Sequence, residues 1–356
     1  MEKTMRKQRV LAFLLLICLQ LPLTSCVGGK RKYTEQSFDH FDTVTVITGY
    51  EKDKKSFDKV SGEILKLLGE YHRLFDIYNS YNGTSNLYTV NSLADGSHPV
   101  VTVDRRIIDM LTYAKEMYTL TDGKMNIAMG SVLSVWHSYR TQGIASSESA
   151  SLPPMDRLTE AAKHTDINNL IIDTEKSTIW LSDPEMTLDV GAIAKGYAVE
   201  KVAERLTENG VSGYVINVGG NVRAVSCKPN GEKWSVGIEN PDMLSSKAYI
   251  TTLSLSEEAV VTSGAYQRFY TVDGKKYHHI IDPQTLMPAE KYLSVSVVCK
   301  DSGMADALST ALFCMPYEEG RALVESLTDA EAVWVMTDGS ERTSSGFHDY
   351  TAKASK

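Results

Sequence analysis

The sequence has few cysteines, and their spacing does not match a metal site or a disulfide framework. Five cysteines occur in 356 residues. Four of them lie beyond the N-terminal leader described below, at Cys26, Cys227, Cys299 and Cys314, without a CxxC or Cys/His pattern. Zinc sites and disulfide-rich domains depend on such patterns. We therefore expect free thiols at the last three positions and a fold that a large hydrophobic core stabilises.

An excess of positive charge is also missing. The formal net charge is −8. The first 25 residues carry a net charge of +3, so the rest of the chain carries −11. Binding to nucleic acid requires basic surface that neutralises phosphates. This composition therefore argues against nucleic acid as a partner.

Several familiar catalytic motifs are absent as well. The chain has no P-loop and no HExxH, its "GAIAKG" is not the GxGxxG of a dinucleotide-binding fold, and no Ser-His-Asp order can be defended. The hydrophobic content of 42% and charged content of 23% are those of a globular protein with a real core. A function must therefore be sought in less common motifs.

The N-terminus has the pattern of an export signal. A basic segment, "MRKQR", precedes an apolar stretch, "VLAFLLLICLQLPL", that is short for a membrane span. It ends in "LTSC", which resembles a bacterial lipobox, whereas a plain signal peptide with a chance cysteine is the alternative. We expect a lipoprotein signal peptide over residues 1–25, lipidation of Cys26 and a tether over 26–37. The domain, over 38–350, would then lie outside the cytoplasm on a membrane anchor.

The pattern of apolar residues predicts an α+β fold. Helices are expected at 57–75, 103–123, 195–208, 302–315 and 317–327. Residues 80–91 are turn-rich, and the serine-rich residues 141–154 are expected to form an exposed loop. Strands are expected at 41–50, 169–173, 177–181, 186–190, 213–218, 233–238, 248–255, 258–262, 267–272, 293–299 and 331–339. This mixed order, without an internal repeat, favours a single α+β domain.

The stretch "LDVGAIAKGYAVEKVAERL", from Leu188 to Leu206, places Asp189 and Lys195 around a run of small residues. A helix N-terminus of this kind can bind an anion through free N–H groups, and a lysine adds positive charge for a phosphate. A tight packing contact would require the same small residues. The motif alone leaves both interpretations open.

Two further motifs carry hydroxyl groups and histidines. "VTSGAYQRF" presents Thr262 and Ser263 at a strand end, although a polar turn would look the same. "YHHIIDP" places His278 and His279 on opposite faces of a strand, so they cannot easily share one metal. One of them could act as a general base, with Asp282 nearby, while a buried structural histidine is the alternative.

The last motif, "MADALST", puts Asp306 and Thr310 on one face of a helix. A carboxylate and a hydroxyl are oxygen ligands that suit Mg²⁺ or Ca²⁺. For this pair alone, a helix cap or a solvated aspartate is the simpler explanation.

Taken together, these motifs resemble the ApbE family of FAD:protein FMN transferases. The resemblance includes "DVGAIAKGYAVE", "INVGGNV", "WSVGIENP", "VVTSGAYQR", "HHIIDP" and "ADALSTALF", and it spans about 38 to 337. "SYNGTSNLYTVN" and "TDGKMNIAMGSVLSVW" are similar to two N-terminal segments of the family. Asn126 stands where the family usually has Asp, and Gln284 and Leu286 replace residues of its Asp-Pro-Arg-Thr-Gly.

The resemblance implies a fold and a set of site residues. The fold is a single ApbE-like, T-fold-related α+β domain with antiparallel sheets and flanking helices, and FAD lies in a cleft between its two halves. The implied catalytic residues are His279 and Asp282, and the implied Mg²⁺ ligands are the carbonyl of Ala192, Asp306 and Thr310. The implied FAD-binding residues are Tyr81, against the flavin or adenine, Lys124, Met125, Asn126, Asp189, Lys195 and Thr262.

The implied reaction is a phosphoryl transfer that uses Mg²⁺ and consumes FAD as a substrate. A Thr or Ser hydroxyl of a client protein, expected to be a membrane-associated redox subunit, attacks the FMN phosphorus and AMP leaves. His279 would take the proton, directly or through Asp282. A metal-dependent FAD pyrophosphatase and a non-catalytic FAD-binding lipoprotein are the alternatives.

Overall fold

The computed structural model describes residues 26–27, 29–93 and 96–351. The signal peptide expected over 1–25 and the side chain of Cys26 lie outside this part of the chain. Within it, the eight α-helices are α1 Lys54–Phe75, α2 Leu87–Asn91, α3 Arg105–Leu120, α4 Gly130–Ala145, α5 Met155–Ala162, α6 Ala194–Glu208, α7 Ser302–Cys314 and α8 Tyr317–Glu325. Short 3₁₀ helices occur at Ile127–Met129, Ser147–Ser149, Ile167–Asn169 and Phe347–Tyr350.

The same part of the chain contains sixteen strands. They are β1 Cys26–Val27, β2 Lys30–Ser37, β3 Thr45–Glu51, β4 Val101–Thr102, β5 Leu170–Asp173, β6 Thr178–Leu181, β7 Tyr214–Val218, β8 Asn221–Val225, β9 Trp234–Glu239, β10 Tyr249–Leu255, β11 Ala259–Gly264, β12 Phe269–Val272, β13 Lys275–His278, β14 Tyr292–Cys299, β15 Ala330–Met336 and β16 Glu341–Thr343.

A nine-stranded sheet forms the centre of the fold. Its order is β1-β2-β3-β7-β8-β11-β14-β15-β16, and every neighbouring pair is antiparallel. The small sheets β10-β9, β12-β13 and β4-β6-β5 flank it. The expected α+β class with antiparallel sheets and flanking helices is confirmed.

Helices cover one face of the central sheet, and the hairpin β9–β10 covers the other. The main hydrophobic core joins helix residues such as Leu68 and Leu308 to strand residues such as Ile216 and Val295, all fully buried. On the opposite face Trp234 of the hairpin packs 5.7 Å from Tyr50, measured between ring centroids. Burial on both faces fixes the register of the central strands, because a shift by one residue would reverse which side chains are buried.

Helices α6 and α7 cross at very short range, and Gly196 allows the crossing. A Cβ atom on Gly196 would lie 2.2 Å from the carbonyl oxygen of Ser302. Any side chain there would separate the helices that carry Lys195 and Asp306. At this position the small-residue motif therefore reflects helix packing, which is one of the two interpretations that the sequence left open.

Four predictions for local structure are wrong. Residues Lys30–Ser37 pair with β3 along their whole length, so this part of the expected tether belongs to the domain. The residues expected to be turn-rich contain α2, which Asn86 caps. Helix α4 reaches Ala145, inside the expected loop. Residues 186–190 do not form a strand, since the backbone of Leu188 bonds to the side chain of Asn91 instead of a neighbouring strand.

Two further properties bear on location and chemistry. No helix in the described ranges is both long and apolar enough to cross a membrane. Cys227, Cys299 and Cys314 are free thiols, as the cysteine spacing predicts, and the last two are buried.

Candidate active site

A cleft of about 400 Å³ opens between the N-terminal and C-terminal halves of the domain. It lies where the turn between β7 and β8 and the end of β11 meet the start of α6 and the middle of α7. Ten of the residues predicted from the sequence line it: Lys124, Met125, Asn126, Asp189, Ala192, Lys195, Thr262, His279, Asp306 and Thr310. Two predicted residues, Tyr81 and Asp282, do not.

Asp189 is held at the cleft by bonds to distant parts of the chain. Its backbone N–H donates to the carbonyl of Ile127 at 2.8 Å. The neighbouring Leu188 exchanges two hydrogen bonds with the Asn91 side chain, at 2.8 and 2.9 Å. The carboxylate of Asp189 accepts a bond from the Gly191 N–H at 2.9 Å. Burial raises the pKa of Asp189, so this carboxylate requires positive charge or hydrogen-bond donors nearby.

Lys195 and Asp306 face each other across the crossing of α6 and α7. The Lys195 ammonium lies 3.8 Å from Oδ2 of Asp306 and donates to the carbonyl of Gly191 at 3.3 Å. The same Oδ2 accepts a bond from the Gly196 N–H at 2.9 Å. Burial raises the pKa of Asp306, while Lys195 and the Gly196 bond lower it. A cation beside this carboxylate would stabilise its charged form.

Hydroxyl groups line the wall next to Asp306. Ser263 Oγ lies 2.8 Å from Ser309 Oγ and 3.3 Å from Thr310 Oγ1. Thr262 Oγ1 lies 2.8 Å from Ser296 Oγ on the neighbouring strand. These contacts fix the hydroxyls of β11 relative to α7.

The residues at this wall fit Mg²⁺. They provide one carboxylate, at Asp306, together with the hydroxyl of Thr310 and the backbone of Ala192. In the described part of the chain no group of three or more His, Cys, Asp or Glu could hold a metal by itself. Mg²⁺ commonly binds through one or two carboxylates and completes its shell with substrate phosphates and water. Such a site would depend on a phosphate-bearing ligand.

His279 faces the cleft, whereas His278 faces the core. His278 donates from Nε2 to the carbonyl of Ala289 at 2.7 Å, and its Nδ1 accepts from the Ile280 N–H at 3.2 Å. The ring of His278 also packs edge-on against Phe313. The expectation that only one of the two histidines faces the site is confirmed.

His279 is strongly perturbed. Its Nδ1 is buried and has no hydrogen-bond partner in the described residues. Burial, followed by the charges of Arg268 and Arg140, lowers the pKa of His279 to about 3. The ring is therefore neutral near pH 7 and has a free proton-accepting nitrogen.

Asp282 does not line the cleft, and in the described part of the chain it makes no hydrogen bond to His279. Its Oδ1 lies 3.3 Å from the Lys124 ammonium and its Oδ2 lies 3.4 Å from that of Lys291. Lys124 also donates to Oε1 of Gln284 at 2.8 Å. Among the described residues no hydrogen bond joins His279 to Asp282, so the predicted proton path through Asp282 has no direct contact, and lysines contact both carboxylate oxygens instead. Gln284, which departs from the family pattern, helps to hold Lys124 at the cleft.

Asn126 is also held by specific bonds. Its Oδ1 accepts from the Ala128 N–H at 2.8 Å, and its Nδ2 donates to the carbonyl of Thr165 at 3.0 Å. An aspartate could not donate to that carbonyl. This chain therefore uses the amide of Asn126 where the family usually has a carboxylate.

Tyr81, which the resemblance implies at the flavin or adenine, does not line the cleft. Its hydroxyl donates to Oδ2 of Asp76 at 2.7 Å, away from the cleft. Tyr78, three residues earlier, lines the cleft instead, with its ring 5.6 Å from that of His137.

Two arginines and a histidine in the cleft were not predicted, and burial lowers the pKa of that histidine, His137. Arg140 and His137 line it from α4, with Arg140 Nη2 3.2 Å from His137 Nδ1, and Arg268 lines it from the segment after β11. Burial and then the charge of Arg268 lower the pKa of Arg140. Arg268 lies inside the motif "VTSGAYQRF", so the sequence pattern could have identified it. His137 and Arg140 are three residues apart on α4, a helix that the apolar pattern of the sequence does not predict.

The model of the ApbE family matches residues 41–334. The FAD:protein FMN transferase of Treponema pallidum is 30% identical over 348 residues, which cover 94% of this chain and 93% of that protein. A second FAD:protein FMN transferase, from Klebsiella pneumoniae, is 30% identical over 279 residues, which cover 78% of this chain and 82% of that protein.

Solved structures give the same picture of the fold. The ApbE protein of Thermotoga maritima has a TM-score of 0.77 and 27% identity, over 90% of this chain and 100% of that one. The flavin transferase ApbE of Vibrio cholerae has a TM-score of 0.73 and 25% identity, over 90% of this chain and 99% of that one.

Proposed function

The chain belongs to the ApbE family, and we propose that its activity, the transfer of the FMN part of FAD to a client protein, takes place in the cleft between the two halves of the domain. One observation carries this placement: Lys195 lies 3.8 Å from Asp306 in a cleft that also holds Thr310, Asp189 and His279. A phosphate-binding cation, a metal-binding carboxylate and a proton acceptor are thus within one site.

FAD is the substrate that these residues suit. Its pyrophosphate would bind beside Lys195, with Mg²⁺ held by Asp306, Thr310 and the carbonyl of Ala192. The metal would neutralise the charge of the pyrophosphate and so favour attack at phosphorus. Arg140 and Arg268 add positive charge within the same cleft. Tyr78 offers an aromatic ring against which a flavin or an adenine could pack.

The reaction requires one bond to form and one to break. The oxygen of a client Ser or Thr hydroxyl bonds to the FMN phosphorus, the bond from that phosphorus to the bridging oxygen breaks, and AMP leaves with that oxygen. A ring nitrogen of His279 accepts the hydroxyl proton. Its low pKa makes it a weak base in the free protein, but the negative charges of bound FAD would raise that pKa. Positioning and charge stabilisation account for the rest of the catalysis.

The direct test uses the form without residues 1–26, FAD, Mg²⁺ and a client that carries a flavinylation motif. We expect fluorescent flavin on the client after denaturing electrophoresis, with one AMP released per flavin attached. A folded enzyme that leaves the client unlabelled contradicts transfer. AMP release at full speed without client would indicate a pyrophosphatase, and FAD that stays bound without turnover would indicate a binding protein.

The proposal extends to location. We expect an exported bacterial lipoprotein, anchored through Cys26 on the extracytoplasmic side, with a membrane-associated redox subunit as client. The basic segment, the short apolar stretch and "LTSC" support it. In cells, the parent chain should fractionate with membranes and incorporate labelled palmitate, and Cys26→Ser should do neither. Equal labelling of both chains would contradict the anchor.

A further inference from the structure

Two loops form one wall of the cleft, and each requires support from elsewhere. The first is the turn between β2 and β3, which contributes Asp42 and Thr43. Phe41 and Asp42 in this turn have φ of 54° and 51°, a left-handed conformation that residues other than glycine rarely adopt. The second is the segment after α1, which contributes Tyr78. The surrounding structure must hold such conformations in place.

His72, in the last turn of α1, bonds to both loops. Its Nδ1 accepts from the Phe41 N–H at 3.2 Å, and its Nε2 lies 3.3 Å from the Tyr81 hydroxyl. The Tyr81 proton is committed to Asp76 at 2.7 Å, so His72 Nε2–H donates to the Tyr81 oxygen. The His72 ring also packs edge-on against Phe41, with centroids 5.5 Å apart. His72 itself does not line the cleft.

Asp76 links the Tyr81 hydroxyl to the backbone of Tyr78. The buried carboxylate accepts bonds from the backbone N–H of Tyr78 and Asn79, from the Asn79 side chain and from the Tyr81 hydroxyl, at 2.7 to 3.0 Å. Tyr78 is therefore fixed to the same group that Tyr81 contacts. A short chain of hydrogen bonds runs from the turn at Phe41, through His72 and Tyr81, to the backbone of Tyr78.

We propose that His72 is a positioning residue for FAD binding, which sets the spacing between the turn of Asp42 and Thr43 and the loop of Tyr78. FAD is named here on the basis of the proposed function. His72 touches no reacting atom, so it acts on the shape of the cleft and not on the chemical step. Its loss should weaken FAD binding more than it slows turnover.

The experiment uses the full-length chain in mild detergent and measures FAD affinity by flavin fluorescence. His72→Phe keeps the ring and removes both hydrogen bonds. We expect its FAD affinity and the KM for FAD to worsen tenfold or more, with kcat at saturating FAD within threefold of the parent. His72→Asn keeps an acceptor near Nδ1 and should recover part of the loss. Tyr81→Phe and His72→Phe should be less than additive, because they interrupt the same chain of bonds.

Tyr71→Leu is the matched control. It removes a ring from the same turn of α1, where Tyr71 packs against Phe75 and Arg106 and not against the two loops. It should lower thermal stability but keep FAD affinity within twofold. Equal weakening by Tyr71→Leu would assign the effect to a loosened helix end and overturn the proposal.

Other outcomes are equally decisive. A folded His72→Phe protein with FAD affinity within twofold of the parent overturns the proposal. If His72→Phe does not fold, His72→Asn and Tyr81→Phe carry the same expectation of weaker FAD binding with kcat preserved. Because binding is measured with FAD alone, a parent chain that binds FAD but never labels a client refutes the transferase and still tests His72.

Discussion

The ammonium of Lys124 lies 3.3 Å from Oδ1 of Asp282, and both side chains are more than nine-tenths buried. This ion pair holds a cleft lysine in place and occupies the carboxylate that the sequence motif suggested as a partner for His279. Removing one member leaves the other charge buried without its partner, which is far more costly than losing an exposed pair.

Lys124→Met should therefore lower the free energy of unfolding by about 3 kcal/mol, the lower end of the range for a broken buried pair, since Lys291 still contacts Asp282. Urea unfolding at pH 7 measures it. The double variant Lys124→Met with Asp282→Asn should lose less than the two single effects added together. Lys275→Met, which breaks an exposed pair with Glu290, is the control and should change little. Unchanged stability in Lys124→Met would show that the pair is dispensable.

Asp306 provides a test of metal dependence. Asp306→Asn keeps an oxygen that can accept the Gly196 N–H but removes the charge that a cation requires. We expect stability close to that of the parent and loss of most transfer activity, and Asp306→Ala should be equally inactive. Chelation of Mg²⁺ with EDTA should abolish the activity of the parent. Activity that survives both EDTA and Asp306→Ala would refute the metal assignment.

The two adjacent histidines should separate activity from stability. His279→Ala should bind FAD but transfer FMN about a hundred- to ten-thousand-fold more slowly, the usual worth of general-base catalysis. His278→Ala should keep kcat within a few-fold but lose about 1–3 kcal/mol of stability, because it leaves the buried Ala289 carbonyl without its donor. Transfer rates and urea unfolding of both variants show which histidine is catalytic and which is structural. A dead His278→Ala protein of normal stability would reverse the assignment.

Stability should fall as the pH is lowered from about 6.5, the ordinary histidine pKa. Burial lowers the pKa of both His278 and His279, the latter to about 3, so the unfolded chain binds more protons than the folded chain below pH 6.5. The slope from His279 should approach about 1.4 kcal/mol per pH unit, and His278 should add to it in the same direction. Urea unfolding at pH 7, 6, 5 and 4 measures it. His279→Ala should flatten the profile, and an unchanged slope would mean that this ring is not held neutral.

Asn126→Asp should not improve this chain, although the family usually has Asp there. It removes the bond to the Thr165 carbonyl and directs a carboxylate at that oxygen, which should cost about 1–3 kcal/mol of stability. The added negative charge should also weaken binding of FAD. Asn126→Ala loses the bond without adding charge, so the difference between the two variants isolates the charge. A more stable Asn126→Asp protein would show that Asn126 is a chance replacement.

The sequence predicts best where one face of an element is buried. The apolar repeat from Phe57 to Phe75 predicted α1 because that face packs against the core. Helix α4 was missed because it buries Val132 and Trp136 while turning His137 and Arg140 into the cleft, so it has no clean apolar stripe. Its polar residues reflect the site and not the packing.

Periodicity also misled the prediction at residues 186–190. Met186, Leu188 and Val190 are buried in alternation, as in a strand. The Asn91 side chain and the carbonyl of Ile127, however, bond to this backbone in place of a neighbouring strand. Alternating apolar residues predict an extended chain, but they do not show whether its backbone bonds to a neighbouring strand or to side chains.

Site residues were predictable where a motif carried them and unpredictable where packing chose between neighbours. Asp189 and Lys195 reach the cleft from one motif, and His279 and Asp306 reach it from two others. The choice of Tyr78 over Tyr81 depends on the bonds that Asp76 makes, which no spacing encodes.

Strand β2 lies between the expected anchor at Cys26 and the cleft, and its length sets the distance between them. Its first residue, Lys30, follows Cys26 by only four positions, and its last, Ser37, leads into the turn that borders the cleft. Eight residues of strand span about 26 Å. If Cys26 carries a lipid, almost no flexible linker would separate the lipid from the domain. The cleft would then lie at a fixed distance from the attachment point. Acceptor hydroxyls that project to that distance from a neighbouring membrane protein would meet the cleft at high local concentration, and acceptors close to the bilayer would stay out of reach.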